Sequence, residues 1–92
     1  MIGDMALNFP NPSRSYDESK HCIRFWAYDQ SLEIPFFVDE EALCSIDPSA
    51  TRSEAGFLSA FDRHRDRIFK AADRIYSRKS RGSYTLSAPD IT

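Results

Sequence analysis

The chain has 92 residues, with 12 Lys and Arg against 14 Asp and Glu, and a formal net charge of −2. This length fits a single domain (residues 1–92) with one modest core. The composition, 41% hydrophobic and 28% charged, excludes a disordered chain, and no stretch reaches the roughly 20 apolar residues of a membrane span.

The N-terminal residues do not have the features of a signal peptide. They contain Asp4 and lack a basic region, so we expect a cytoplasmic protein with a flexible extension at residues 1–6. The only cysteines, Cys22 and Cys44, lack the CxxC spacing of a zinc knuckle. We therefore expect two reduced thiols, no disulfide and no metal.

The first half of the chain predicts a β-hairpin. Residues 7–14 read as an extended piece ended by two prolines, and residues 15–19 as a turn. From residue 20 to 28 the apolar pattern has a period of two, which predicts a strand. One face of it carries Ile23, Phe25 and Ala27, and the other Cys22, Arg24, Trp26 and Tyr28. A second strand follows at residues 32–38, and Pro35 places it at an edge or a bulge.

The second half of the chain is predicted to be mostly helical. Three carboxylates, Asp39, Glu40 and Glu41, open a short helix at residues 39–46. Thr51 and Glu54 form a capping-box pattern before one long helix over residues 52–78, and a last strand is predicted at residues 83–87. The fold class is α+β, a small antiparallel sheet of about three or four strands packed against one long C-terminal helix.

The ordered set of residues from Leu7 onward resembles a known family. The residues that carry this resemblance are Phe9, Pro10, Ser15, Tyr16, Asp17, Ile23, Arg24, Phe25, Ala42, Leu43, Ala60, Phe61, Asp62, Arg65, Ile68, Ala71, Ala72, Tyr76, Gly82, Tyr84, Leu86, Ser87 and Asp90. Together they are similar to DUF1488, a family of short proteobacterial proteins of unknown function. The resemblance implies a compact α+β domain, and it implies no activity, cofactor or partner.

The sequence gives little support to an enzyme. A thiol nucleophile needs a histidine within hydrogen-bond reach, and His21 and Cys22 are adjacent strand residues that point to opposite faces. His64 lies among arginines on the predicted helix. No glycine-rich phosphate loop is present. We therefore expect no catalytic residues, no cofactor and no enzymatic activity.

Nucleic-acid binding is the alternative function. The predicted helix carries a candidate basic patch, which consists of Arg63, Arg67, Lys70, Arg74, Arg78, Lys79 and Arg81. Such residues could follow a phosphate backbone, and Arg24, Trp26 and Tyr28 could stack bases. The sequence pI of about 5.6 argues against this function, because nucleic-acid-binding domains are usually basic.

Protein binding is the function that we expect. If the long helix covers Ile23 and Phe25, the opposite face of the sheet exposes a candidate protein interface of Arg24, Trp26, Tyr28 and Phe37. Exposed aromatic patches usually mark contact surfaces, unless the short helix or the N-terminal segment covers them. The sequence thus predicts a non-enzymatic accessory domain that contacts an unknown protein partner or forms a homodimer.

Overall fold

The computed structural model describes residues 7–9, 13–78 and 84–91, without the side chains of residues 77 and 78. In chain order the elements are β1 (Arg14–Asp17), β2 (Cys22–Asp29), β3 (Leu32–Asp39), α1 (Glu40–Ile46), α2 (Glu54–Arg63), α3 (Arg65–Arg78), β4 (Tyr84–Leu86) and α4 (Ala88–Ile91). The α+β class is confirmed. Residues 1–6, the predicted extension, lie outside the described residues.

The four strands form one sheet in the order β1-β2-β3-β4. β1 and β2 are antiparallel, as are β2 and β3, whereas β4 runs parallel to β3. The predicted β2–β3 hairpin is confirmed, and its two-residue turn begins at Gln30, which has a φ of 60°. Pairing between β3 and β4 covers Phe36–Val38 only, so at Pro35 the described chain offers β3 a single neighbouring strand. An edge position there tolerates a residue without an N–H donor.

The predicted turn at residues 15–19 is wrong. Most of it belongs to β1, which pairs with β2 from Arg14 opposite Phe25 to Asp17 opposite Cys22. The turn begins after the strand, where the Asp17 carboxylate accepts hydrogen bonds from the backbone N–H groups of Ser19 and Lys20 at 3.1 and 3.2 Å. Polar residues of an edge strand resemble a turn in composition, and only the pairing with β2 separates the two.

The prediction of one long helix is also wrong, because the chain divides into α2 and α3 at His64. His64 has a φ of −118° and a ψ of 26°, outside the helical region. Its N–H group is shared between the carbonyl oxygens of Ala60 and Phe61, and the helix resumes when the Ile68 N–H donates to the His64 carbonyl. The imidazole Nε2 lies 3.5 Å from the buried carboxylate of Asp47, to which Arg63 also donates. The break therefore lies where the polar residues 63–65 interrupt the apolar stripe.

The helix caps differ from the predicted capping box. Ser53, not Thr51, is the N-cap of α2, and its Oγ accepts from the Gly56 N–H at 3.1 Å. The N-cap of α1 is Asp39, which accepts from the Ala42 N–H at 2.8 Å. Ser and Asp both serve at this position because their side-chain oxygens reach the free N–H groups of the first turn.

One apolar core lies between the sheet and the helices. Its largest fully buried side chains are Phe25, Phe36, Phe61, Ile23, Leu43, Ile68, Leu86 and Val38. The prediction that helix residues cover the face of Ile23 and Phe25 is confirmed, although residues of several helices, and not of one, join this core. Phe9 joins from the N-terminal segment by stacking on Phe69, with ring centroids 4.0 Å apart.

The C-terminal segment differs from the prediction in three respects. The last strand, Tyr84–Leu86, ends before Ser87, and it is parallel to β3 rather than antiparallel. A short helix, α4, follows it and buries Ile91. Ser87 and Asp90 form its cap, since the Asp90 carboxylate accepts from the Ser87 N–H at 2.8 Å and from the Ser87 hydroxyl at 3.0 Å.

Candidate functional site

The candidate site is the face of the sheet that points away from the core, here called the outer face. It carries the alternate residues of each strand, which are Ser15, Asp17, Cys22, Arg24, Trp26, Tyr28, Glu33, Pro35, Phe37, Asp39 and Thr85. In the parts of the chain that the structure describes, the buried helix residues all belong to the core on the other side of the sheet. Those helices therefore leave the outer face open.

The centre of the outer face combines cations with aromatic rings. Arg24 is exposed, and its guanidinium carbon lies 5.8 Å from the Trp26 ring centroid and 5.7 Å from that of Phe37. Lys20, in the turn before β2, places Nζ 5.3 Å from the same Phe37 ring. These are cation–π distances. Trp26 and Phe37 are half-buried, so each ring keeps part of its surface in contact with solvent.

Carboxylates surround this centre, and each already has a structural role. Asp17 closes the turn after β1, and the Ser19 hydroxyl that donates to it at 2.8 Å lowers the pKa of Asp17. Asp39 caps α1. Glu33 accepts from the Tyr28 hydroxyl at 3.2 Å, and this hydrogen bond raises the pKa of Tyr28. With Lys20 and Arg24 as the bases, two positive and three negative charges give the outer face a formal charge of −1.

The structure brings the four predicted interface residues together. Arg24 is directly opposite Phe37 in the β2–β3 register, Trp26 is opposite Pro35, and Tyr28 is opposite Glu33. Lys20 was missed by the sequence analysis. Its signal was available, because extending the period-two pattern back from Cys22 by one step places Lys20 on the side of Arg24 and Trp26.

The predicted basic patch is less continuous than its sequence suggests. Arg63 donates to the Asp47 carboxylate through Nε and Nη2, at 3.0 and 2.5 Å. The Arg74 guanidinium donates to the Asp90 carbonyl oxygen at 2.7 Å. Arg67 and Lys70 are exposed on α3. The side chain of Arg78 lies outside the described residues, as do the predicted patch residues Lys79 and Arg81.

The two histidines and Cys44 have other partners. His64 faces Asp47, and His21 Nδ1 lies 3.4 Å from the Glu40 carboxylate, which also accepts from the Tyr16 hydroxyl. The Cys44 Sγ accepts from the Arg52 guanidinium at 3.0 Å. Among the residues that the structure describes, no group of three His, Cys, Asp or Glu side chains could hold a metal ion.

Surface cavities of the described residues include the following two. One, of about 560 Å³, is lined by Asn8, Phe9, Tyr28 and Gln30. The other, of about 430 Å³, lies at the start of α2 and is lined by Ser49, Thr51, Ser53, Ala55, Gly56, Ser59 and Arg63. Neither lining includes a cysteine or a histidine. In the described ranges, no helix is both long and apolar enough to span a membrane.

The two thiols should differ in their reactivity. Cys22 is 4% exposed, and burial raises the pKa of its thiol, whereas Cys44 is half-buried. Because the thiolate is the reactive form, we expect iodoacetamide to label Cys44 at least about tenfold faster than Cys22. Peptide mass spectrometry over a time course measures both rates. The Cys44→Ser variant should show the slow reaction alone, and equal rates in the native protein would contradict the burial of Cys22.

A comparison with protein families and a comparison with solved structures both point to the same family. The profile of DUF1488, described as a protein of unknown function, matches residues 7–87. A crystal structure at 1.60 Å resolution of a DUF1488 protein of unknown function from Shewanella loihica PV-4 is similar to the chain, with a TM-score of 0.79. The two are 17% identical, over 90% of this chain and 93% of that one, so the likeness concerns the fold alone. No curated protein matches the chain.

Proposed function

Because the chain belongs to the DUF1488 family of proteins of unknown function, we propose a function from its geometry: it is a non-enzymatic accessory domain that binds a protein through the outer face. The observation that carries this proposal is the exposed Arg24 between the half-buried rings of Trp26 and Phe37, on the side of the sheet away from the core. Trp, Tyr and Arg are the residue types that dominate the binding energy of protein interfaces.

The charge of the outer face favours a protein over a nucleic acid. Aromatic rings on a sheet can stack bases, but single-strand binders add a positively charged groove for the phosphates. Here Asp17, Glu33 and Asp39 outnumber Lys20 and Arg24, so a phosphate backbone would meet a net negative surface. A protein partner has no such requirement, because aromatic contact and cation–π contact do not depend on a uniform charge.

Nucleic-acid binding through α3 is the second candidate function. It is supported by the exposed side chains of Arg67 and Lys70, which are three residues apart on one side of the helix. Arg63 and Arg74 are engaged in hydrogen bonds within the chain, so fewer cations are available to phosphates than the sequence predicts. Binding through this surface would weaken steeply as the salt concentration rises.

Site-specific photo-crosslinking in living cells tests the proposed function. A photoreactive phenylalanine analogue replaces Phe37 on the outer face or, as the matched control, Lys70 on α3. We expect irradiation of bacterial cells that express the chain to give one defined protein adduct from position 37 and none from position 70. Arg24→Ala, an exposed substitution, should remove the adduct, because the guanidinium contacts both rings.

The products distinguish the two candidate functions. An adduct from position 37 whose mass shows a protein partner, whether another protein or a second copy of this chain, supports binding through the outer face. A nuclease-sensitive adduct that forms at position 70 and not at position 37 would support nucleic-acid binding through α3. A nuclease-sensitive adduct at position 37 would contradict a protein partner for the outer face. The absence of any adduct at position 37 would overturn the proposal.

A further inference from the structure

We infer that the protein bound by the outer face is a second copy of this chain, packed sheet on sheet about a two-fold axis parallel to β2 and β3. This inference rests on the proposed function and names its partner. Two-fold dimers are the commonest oligomers, and in them one surface must be complementary to itself. The pairing of β2 with β3 makes the outer face complementary to itself about this axis.

An axis between β2 and β3, parallel to both, places β2 of one copy over β3 of the other. Residues that are opposite each other within one sheet then also face each other across the interface. Arg24 faces the partner's Phe37, and Trp26 faces the partner's Pro35, since these are the pairs of the β2–β3 register. Tyr28 likewise faces the partner's Glu33. Each pair occurs twice, and none places like charges together.

The other two-fold arrangement of the same faces is unfavourable. An axis perpendicular to the strands would place each strand over its own copy in the opposite direction. The end of β3 that carries Asp39 would then lie over the end that carries the partner's Glu33, so that two carboxylates meet. Like charges brought together across an interface are destabilising. The acids at both ends of β3 therefore disfavour this perpendicular axis.

The same arrangement gives the Arg24 guanidinium a hydrogen-bond acceptor. In one sheet Asp39 lies two residues along β3 from Phe37, the residue opposite Arg24. Across the interface, the partner's Asp39 is therefore offset from Arg24 by about 6.6 Å along the strand, in addition to the separation of about 10 Å between the packed sheets. The arginine and aspartate side chains together can span this distance. Asp39 caps α1 through Oδ1, so Oδ2 is the oxygen that Arg24 would reach.

The size of the outer face sets the strength of this dimer. Four strands spaced by about 4.8 Å, with eight residues at about 3.3 Å each in the longest, cover at most about 500 Å² per copy. Two copies would bury about 1,000 Å², which is the lower limit for a specific interface. We therefore expect a reversible monomer–dimer equilibrium in the micromolar range rather than an obligate dimer.

Sedimentation equilibrium of the purified chain tests the partner. We expect a dimer whose dissociation constant changes little between low and high salt, and which Trp26→Ala weakens at least about 30-fold. Arg24→Ala, an exposed position, should weaken it in a chain with unchanged thermal stability. The matched control is Leu32→Ala, which truncates an exposed apolar side chain on the helix side of β3. A monomer at all concentrations, or equal effects of Leu32→Ala and Trp26→Ala, would overturn the inference.

Cysteine cross-linking tests the axis. Ser15 and Thr85 are exposed, and each is in the row of Arg24 and Phe37 at one edge of the outer face. About the inferred axis, Ser15 lies about 10 Å from the partner's Thr85, whereas the two copies of Ser15 are about 17 Å apart. In a Cys44→Ser background, a short bis-maleimide should join Ser15→Cys protein to Thr85→Cys protein, and should not join either variant to itself.

The results separate this inference from the proposed function. A dimer in which Ser15→Cys joins to its own copy would contradict the axis parallel to the strands. A monomeric chain that still gives a protein adduct at position 37 in cells would exclude the second copy and leave the proposed function standing. A monomeric chain without such an adduct would overturn both.

Discussion

Replacing Phe25 by alanine is expected to lower the free energy of unfolding by about 3–5 kcal/mol, the usual cost of removing a buried phenylalanine ring. Phe25 is 1% exposed, and its ring centroid lies 5.1 Å from that of Phe61, 5.5 Å from Phe36 and 5.8 Å from Phe69. A chain of this length has a total stability of roughly 5–14 kcal/mol, so this one ring contributes a large part of it. Phe25→Leu retains part of the contact and should remain folded at a smaller cost.

The matched control is Phe37→Ala, on the neighbouring strand and on the outer face. Phe37 is half-buried, so its removal should cost about 1 kcal/mol, a typical value for a point mutation. Urea unfolding, followed by circular dichroism at a protein concentration below that of self-association, measures both variants. If Phe37→Ala were as destabilising as Phe25→Ala, the outer face would be covered by the chain itself, and the argument for a docking surface would fail.

The sequence predicted the parts of the fold that depend on local pattern. The alternation of Ile23, Phe25 and Ala27 with Arg24 and Trp26 placed β2 and the direction of each of its side chains, and β3 followed from the same period. From these two strands alone, the four candidate interface residues could be assigned to one face. What makes this possible is that a period of two fixes the face of every residue once the buried face is known.

The parts that were missed depend on contacts between distant residues. β1 is polar and becomes a strand through its pairing with β2, and β4 is parallel to β3 although its sequence gives no sign of direction. The break at His64 interrupts a periodic apolar stripe that continues on both sides of it. Asp47, which is 17 positions earlier in the chain, lies against His64 at this break. Helix propensities describe single residues, so they do not predict a contact between distant residues.

The candidate site shows the same division. Arg24, Trp26, Tyr28 and Phe37 were predicted, but Lys20 was not. The charge of the face was also missed, because Asp17 and Asp39 appeared in the sequence as turn and helix-start signals. In the structure Asp39 caps α1, and its carboxylate also lies on the outer face. One residue thus has a local role and a position on the surface at the same time. That position disfavours phosphate binding, and the inferred two-fold axis depends on it.

Replacing Gly56 by alanine is expected to destabilise the fold, although alanine is normally the better helix former by about 1 kcal/mol. Gly56 lies in the first turn of α2, where a Cβ atom would come within 2.0 Å of the Thr51 carbonyl oxygen and 2.7 Å of its carbon. The Ser53 N–H holds that carbonyl in place at 2.9 Å, and Ser53 also caps the helix through the Gly56 N–H. A methyl group must therefore displace backbone and weaken the cap.

The expected cost of Gly56→Ala is about 1–3 kcal/mol, as for other insertions into a packed site, or a loss of about 4–8 °C in Tm for each kcal/mol. The matched control is the opposite change at the adjacent position, Ala55→Gly, since Ala55 is exposed. There the removal of Cβ should cost about 1 kcal/mol through helix propensity alone. Calorimetry of both variants thus tests one expectation at two neighbouring positions, that Cβ is favourable at residue 55 and excluded at residue 56. An increase in Tm for Gly56→Ala would mean that the backbone at Thr51 moves away from the added methyl group without a loss of stability. The short distance between Thr51 and Gly56 would then not constrain the start of α2.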